Sequence, residues 1–265
     1  MTLPECLESV KWCDDVVVYD SFSSDKTLAI AESKKARIFQ RKFDTYSLQR
    51  NAALQVQFKH QWVLMLDADE RVPEDLRDEM LAAVRSTNKN VALFHMRRKD
   101  YFMGKWLRRS SGYPTWFGRL LRVGHVWIER DINEEYHTDG QPGYLMTHIH
   151  HYPFMKGIHF WIERHNKYST MEAQLMTSNA LDGINYSGIF DSDPVVRRKA
   201  LKQVLYRIPL RPIVVFLYLF FLRGGLLDGR AGISFVVLRS MYEYMIDLKV
   251  KELHNTRINN NISTR

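Results

Sequence analysis

Trp62-Val63-Leu64-Met65-Leu66-Asp67-Ala68-Asp69-Glu70-Arg71 runs from an unbroken apolar stretch straight into a cluster of acids. A short apolar run without polar alternation predicts a strand buried on both faces. The acids after it then stand at the strand's carboxyl end, the edge where open α/β sheets hold their ligands. Upstream, residues 48–56 predict a helix, Arg37-Ile38-Phe39-Gln40 a short strand, Ser24-Asp25-Lys26-Thr27 the start of a helix through about Lys34 with Ser or Asp as its cap, and Asp15-Val16-Val17-Val18-Tyr19-Asp20 another apolar strand ending in an acid. Downstream, residues 73–85 predict a helix and Val91-Ala92-Leu93-Phe94-His95-Met96 a strand. This alternation predicts an α/β fold with a mostly parallel sheet flanked by helices.

Residues 97–144 change texture and become rich in Gly, Trp and Arg, with a short strand over 119–123. Residues 159–174 predict a helix, and the polar, turn-rich 177–193 reads as a linker. The expected organisation is a main domain over 1–176, then a linker and a basic, apolar helical region over 177–265. In that region Ile213-Val214-Val215-Phe216-Leu217-Tyr218-Leu219-Phe220-Phe221-Leu222 is flanked by Arg211 and Arg223. A bilayer span takes about 20 apolar residues, so this run is too short to cross alone. Flanking arginines and interspersed aromatics suit a helix lying in a membrane interface or a re-entrant segment, and an ordinary buried core helix is the alternative.

The formal charge of +8 and pI near 9.4 favour anionic company: nucleotide diphosphate, an anionic membrane surface or nucleic acid. The basic residues are spread rather than massed and no zinc-finger spacing or recognition helix stands out, so nucleic acid is not expected as a partner. Cys6 and Cys13 are the only cysteines, which argues for reduced packing residues in a cytosolic protein rather than a disulfide scaffold. No basic, apolar leader opens the sequence, so a cleaved signal peptide is not expected. The sequence starts instead on an amphipathic helix, with Pro4 in its first turn.

Several residues have chemistry suited to a phosphate-bearing ligand. Asp67 and Asp69 sit where a hard divalent cation, Mn²⁺ or Mg²⁺, can be shared between carboxylates and phosphate oxygens; helix capping is the plainer role for such a pair. Asp20 is placed to accept from a base or ribose, while Ser23, Ser24 and Asp25 suit a helix cap. Arg50, in Gln49-Arg50-Asn51, can meet phosphate or line a solvated helix face. Glu134 and Glu135 follow Ile132-Asn133 and offer either a solvated turn or a general base for deprotonating a hydroxyl. His148, His150 and His151 lack zinc-site spacing, and a single histidine completing a carboxylate-bound metal fits better.

The run Asp15-Val16-Val17-Val18-Tyr19-Asp20-Ser21-Phe22-Ser23-Ser24-Asp25-Lys26-Thr27, with Phe39-Gln40-Arg41, Gln49-Arg50-Asn51 and the 62–71 stretch, resembles the bacterial family 2 glycosyltransferases. It is most similar to the branch of lipopolysaccharide-core glucosyltransferases and exopolysaccharide enzymes, and the resemblance covers residues 1–174. It implies a GT-A (Rossmann-like) fold, a nucleotide-sugar donor, a divalent cation and inversion at the anomeric carbon by direct displacement. Residue by residue it implies that Asp20 contacts the nucleoside, Arg50 lies near the nucleotide, and Asp67 faces the ribose or metal. It further implies Asp69 and His151 at the metal, Glu134 as base, and Gly112-Tyr113-Pro114 with Trp116 in the acceptor loop. Relatives open with a strand of the type I-V-P-x-Y-N-E, so the first strand is expected to be missing from this chain. They also often show His-Glu where Asn133-Glu134-Glu135 stands here.

The function expected is transfer of a sugar to a lipid-linked or glycan acceptor, peripherally on the inner face of the cell membrane. The alternatives are a nucleotidyltransferase, for which a Gly-rich phosphate loop is wanting, and a truncated, catalytically impaired scaffold.

Overall fold

The computed structural model describes residues 2–130, 134–178, 186–205, 208 and 210–263. Ile132-Asn133 and residues 179–185 of the expected linker lie outside them. In chain order the first elements are α1 (Leu3–Ser9), β1 (Val17–Asp20), α2 (Thr27–Ser33), β2 (Arg37–Gln40), α3 (Tyr46–Ala53), β3 (Trp62–Leu64), β4 (Glu70–Arg71) and α4 (Glu74–Ser86). Then come β5 (Val91–Phe102), β6 (Lys105–Trp106), β7 (Trp116–Arg122), β8 (Val126–Glu129), β9 (Glu135–Thr138) and β10 (Gln141–His151). The remaining helices are α5 (Gly157–Thr177), α6 (Pro194–Leu205), α7 (Arg211–Leu217) and α8 (Gly229–Ser263), with a π-helical turn at Tyr218–Leu222 and 3₁₀ turns at Ser187–Phe190 and Gly225–Asp228. The chain divides into two compact units, Met1–Tyr101 with Pro114–Lys156, and Phe102–Tyr113 with Gly157–Arg265.

The first unit is built on a sheet whose strands run β3-β7-β5-β10-β4. Three of its pairings, β3–β7, β7–β5 and β10–β4, are antiparallel, and β5–β10 is parallel. The sheet is therefore mixed, not mostly parallel as the alternation of elements predicts. The reason lies in residues 97–144: β7 returns beside β5 without a helical crossover, and parallel pairing needs a crossover. The parallel pair β1–β2 forms a separate two-stranded sheet, and β8–β9 a separate antiparallel pair.

Leu76 and Met80 of α4 lie against Phe94, Met96, Leu120, Leu145 and Ile149 of the sheet, and Val10 and Val72 close the cluster. On a second cluster Leu54, Leu93, Leu121 and Ile128 pack together. Burying a side chain of this size contributes roughly 1.5–3 kcal/mol, which makes these two clusters the main source of the unit's stability. Thr45 caps α3, its hydroxyl accepting from the Leu48 N–H. At α2 it is Asp25 that accepts from the Thr27 N–H, at 3.0 Å, while Ser23 turns away to bond Asp20.

In the second unit α5 and α8 meet through Ala173, Tyr242 and Ile246, and Val215, Leu219 and Val236 form another core. Arg211 is 1 % exposed at the start of α7, with Nε 2.9 Å from Glu243 and Nη2 2.6 Å from Asp247. Among the described residues no single helix is long and apolar enough to cross a membrane; Arg211–Leu222 and Gly225–Thr256 form a pair bent by 69°.

Candidate active site

The ladder sets the site. His151 pairs across β10 with Asp100 of β5 and with Glu70 of β4, and the Tyr152 N–H donates to the Asp69 carbonyl at 2.9 Å. The acids that follow β3 are thereby fixed beside the end of β10. On the other side the β3–β7 ladder extends past Leu64–Leu120 through the Met65 N–H, which donates to the Arg119 carbonyl at 2.8 Å. That bond places the Arg119 side chain close to Asp67. Helix α3 is tied in by Asn51, whose amide donates to the Ile128 carbonyl at 2.7 Å and accepts from the Ile128 N–H at 2.9 Å. The same clamp brings Arg50 against Glu134, the residue just before β9.

The charged groups form one connected network. Arg50 Nη2 donates to Asp67 Oδ1 at 2.7 Å, and its Nε donates to Glu134 Oε1 at 3.1 Å. Arg119 Nη2 donates to Asp67 Oδ2 at 2.8 Å and to Glu70 Oε1 at 2.9 Å, while its Nη1 donates to the Tyr136 hydroxyl at 3.3 Å. Glu70 Oε2 accepts from the Asp67 N–H at 3.0 Å. Burial pushes the Asp67 carboxyl up, but the Arg50 and Arg119 charges outweigh it and hold the group far below the usual carboxylate range. Burial likewise opposes the charge on Arg119, and Glu70 and Asp67 more than restore it.

His151 joins two further acids: Nδ1 lies 2.6 Å from Asp100 Oδ1 and Nε2 lies 3.5 Å from Asp69 Oδ2. Burial and Arg98 work against protonation of this ring, but its bonds to Asp100 and Asp69 prevail and raise its pKa. Asp100 is itself buried, and Arg98, with Nε 3.0 Å away, together with His151 keeps it ionised.

These residues fit a divalent cation in part. Both Asp67 oxygens accept from guanidinium groups, so in this arrangement Asp67 organises cations of the protein. Asp69 Oδ2 and His151 Nε2 are a hard and a borderline donor side by side, and Asp100 orients the ring from behind as carboxylates do for metal-bound histidines. Among the described residues no three His, Cys, Asp or Glu side chains converge on a point, so a cation here would need its other ligands from phosphate oxygens and water.

Asp20 sits 5 % exposed at the end of β1, accepting from the Ser23 N–H at 2.9 Å and from Gln40 Nε2 at 3.0 Å. Burial opposes its ionisation, and those bonds with the Ser23 hydroxyl lower its pKa all the same. Trp116 opens β7, edge-on to Tyr144 at 5.0 Å and under the Arg97 guanidinium at 5.4 Å. Among the described residues, Asp20 bonds Ser23 and Gln40, and Trp116 packs on Tyr144 and Arg97, rather than joining the Arg50–Asp67 network. Sequence reading passed over Arg119, Glu70 and Asp100. The available signal for Arg119 was a cation in the apolar strand 119–123, since an arginine buried among leucines is almost always paired.

The chain is 23% identical to the lipopolysaccharide core biosynthesis glycosyltransferase LpsC of Rhizobium meliloti (strain 1021), over 98% of this chain and 91% of that protein. It is 34% identical to an uncharacterized glycosyltransferase of Rickettsia bellii (strain RML369-C), over 37% of this chain and 35% of the relative. A similar protein of Rickettsia felis (strain ATCC VR-1525 / URRWXCal2) is 33% identical over 33% of this chain and 32% of its own length. Residues 1–153, which include every residue of the network above, match the family described as glycosyl transferase family 2. Matched over more than half its length, the chain belongs to glycosyl transferase family 2.

Proposed function

We propose that the protein transfers a sugar, with inversion, from a nucleoside-diphosphate sugar to a lipid-linked or glycan acceptor of the lipopolysaccharide or exopolysaccharide type, at the inner surface of the cell membrane. The observation that carries this reading is the meeting of Asp67, Asp69, Arg50, Glu134 and His151 at one end of the sheet, inside the family's matched region. The family supports the transfer itself, and the likeness to LpsC supports the class of acceptor.

Direct displacement at the anomeric carbon needs a base for the acceptor hydroxyl and compensation for charge developing on the departing diphosphate. Glu134 is the base in this reading: Arg50 fixes its carboxylate 3.1 Å away, and β9 begins at the next residue. Asp69 and His151 hold Mn²⁺ or Mg²⁺, which when bound neutralises the diphosphate. Arg50 supplies a nearby guanidinium for phosphate, and Asp67 holds it in place. Asp20 contacts the nucleoside, and Trp116 offers a ring face to the acceptor.

The test is release of nucleoside diphosphate from UDP-, GDP- and dTDP-sugars with Mn²⁺ or Mg²⁺, membrane extract as acceptor and Asp69→Ala as control. Metal-dependent release that the substitution abolishes supports the reading. Pyrophosphate release from a nucleoside triphosphate and a sugar 1-phosphate, in place of nucleoside diphosphate release from the sugar donors, would make the protein a nucleotidyltransferase, and silence in both assays would leave an impaired scaffold.

A further inference from the structure

A cleft of about 390 Å³ opens in the second unit, lined by Arg108, Arg109, Tyr113, Leu222 and Arg223. Arg108 and Arg109 are exposed, and the loop that carries them is held from beneath by buried Asp228. Asp228 Oδ2 accepts from the backbone N–H of Arg109 at 2.9 Å and of Ser110 at 2.8 Å, and from the Ser110 hydroxyl at 2.8 Å. That carboxylate therefore anchors the backbone of the segment that carries the two arginines. Elsewhere in the unit Arg211 pairs with Glu243 and Asp247, and Arg239 with Glu243. Arg223 Nη2 donates to the Tyr113 carbonyl, which fixes it at the cleft wall. Three guanidinium groups facing one space repel one another, and a bound anion relieves that repulsion; their planar forks match phosphate oxygens best.

The surroundings select among phosphate-bearing partners. Leu222, a lining residue, is 81 % exposed and Phe221 is 65 % exposed. With Ile213 and Leu217 they form the outward face of α7 and its π turn, while Arg211, Val215 and Leu219 form the inward one. Leu226 and Leu227 continue the exposed stripe past the bend. Glycine makes that bend: Gly224 has φ +69°, and a Cβ on Gly225 would meet the Leu219 carbonyl at 2.7 Å. At a rise of about 1.5 Å per residue the stripe from Ile213 to Leu222 is only about 15 Å long, a length that lies in an interface and does not cross a bilayer. Trp106 and Tyr113, edge to face at 5.2 Å beside Arg108, are the aromatic types that favour a headgroup layer.

We propose that the Arg108–Arg109–Arg223 cleft binds the phosphate of an anionic phospholipid headgroup while the adjoining Ile213–Leu227 apolar stripe seats at the acyl boundary. This rests on the membrane-surface part of the proposed function and not on its transfer chemistry. The arginines give the attachment its preference for anionic lipid, and the stripe gives it depth.

The test is co-sedimentation of the full chain at about 0.15 M salt with vesicles of phosphatidylcholine alone, or of about three parts phosphatidylcholine to one part phosphatidylglycerol. The wild type should partition onto the anionic vesicles. Arg108→Gln/Arg109→Gln/Arg223→Gln should weaken that partition on the order of a hundredfold, about fivefold per charge. Should the triple variant lose helicity by circular dichroism, the exposed Arg108→Gln alone carries the test with its fivefold loss. Equal binding of wild type and variant to both vesicle types would remove the arginine site and leave the apolar stripe as a surface contact. A melting-temperature rise with millimolar inorganic phosphate in wild type but not in the variant, without vesicle binding by either, would make the cleft a soluble phosphate-ester site and overturn the proposal.

Discussion

Arg50 Nη2 lies 2.7 Å from Asp67 Oδ1, and the same guanidinium turns its Nε toward Glu134 at 3.1 Å. One side chain thus couples the first acid of the Asp-Ala-Asp motif to the candidate base, using two edges of a planar fork. A lysine offers one point charge and cannot make both bonds in these directions. We expect Arg50→Lys and Arg50→Ala each to reduce kcat/KM for sugar transfer about a hundredfold, with little change in melting temperature because Arg119 still pairs Asp67. Recovery of most of the activity by lysine would show that charge alone matters there.

Arg119 has a different burden. It is 4 % exposed and bonds Glu70, which is fully buried. Removing one partner of a buried pair strands the other charge and costs about 3–5 kcal/mol. Arg119→Leu should therefore lower the urea midpoint strongly, and Arg119→Leu/Glu70→Leu should recover much of that loss. A single variant as stable as wild type would mean that Glu70 finds another donor.

The pairing of His151 with Asp100 predicts a graded effect on metal binding. Asp100→Asn keeps the shape but weakens the support behind the ring, and such losses typically cost about 10–100-fold in metal affinity. Mn²⁺ titration followed by electron paramagnetic resonance should give that loss for Asp100→Asn and a larger one for Asp69→Asn. Asp67→Asn should change Mn²⁺ affinity less than Asp69→Asn, since both Asp67 oxygens are held by arginines. The reverse order would put the cation on Asp67.

Several acids are legible in the sequence because they follow apolar runs. β3 and β1 are written as unbroken hydrophobic stretches, and Asp67, Asp69 and Asp20 stand at or just beyond their ends. Arg50 and Glu134 were legible as residue types, but their contact depends on Asn51 gripping the Ile128 backbone 77 residues away, and pattern gives no handle on such a bond. Sheet direction is not legible for a related reason. Local periodicity separates strands from helices but does not say that β7 doubles back between β3 and β5, which is a fact about long-range pairing. Asp100 stayed hidden in the charged run Arg97-Arg98-Lys99-Asp100, where only the register opposite His151 distinguishes it from a solvated face.

The second unit should be sensitive to acid through His165. Its ring stacks on Trp161 at 3.6 Å, and Nδ1 lies 2.8 Å from the Trp161 carbonyl. Burial pushes its pKa down to about 4, from 6.5, with Arg164 and Arg239 adding to the shift and the Trp161 carbonyl opposing it. The unfolded chain then binds the extra proton first, so the neutral ring's contribution is whole above pH 6.5 and is lost as pH falls toward 4. At pH 5 the loss is about 2 kcal/mol. His165→Phe, which keeps a ring against Trp161, should show a smaller drop in urea midpoint between pH 7 and pH 5 than wild type. A ring-proton NMR titration of His165 centred near 6.5 would refute the assignment.

In the proposed reaction Glu134 is the residue on which the chemistry depends most. It sits beside Arg50 and next to the start of β9, with its side chain 23 % exposed, so it is held in place yet reachable by a hydroxyl. Glu134→Gln preserves an acceptor for the Arg50 Nε–H and removes the capacity to take a proton. A base contributes typically 10²–10⁴-fold, so kcat should fall by roughly that factor while KM for the nucleotide sugar stays within a few fold. The pairing of those two results matters, because a glutamate that only positioned Arg50 would raise KM for the donor along with its effect on kcat. A kcat within about threefold of wild type would remove Glu134 from the chemistry and direct attention to Glu135, whose carboxylate is tied to Arg130 at 2.8 Å.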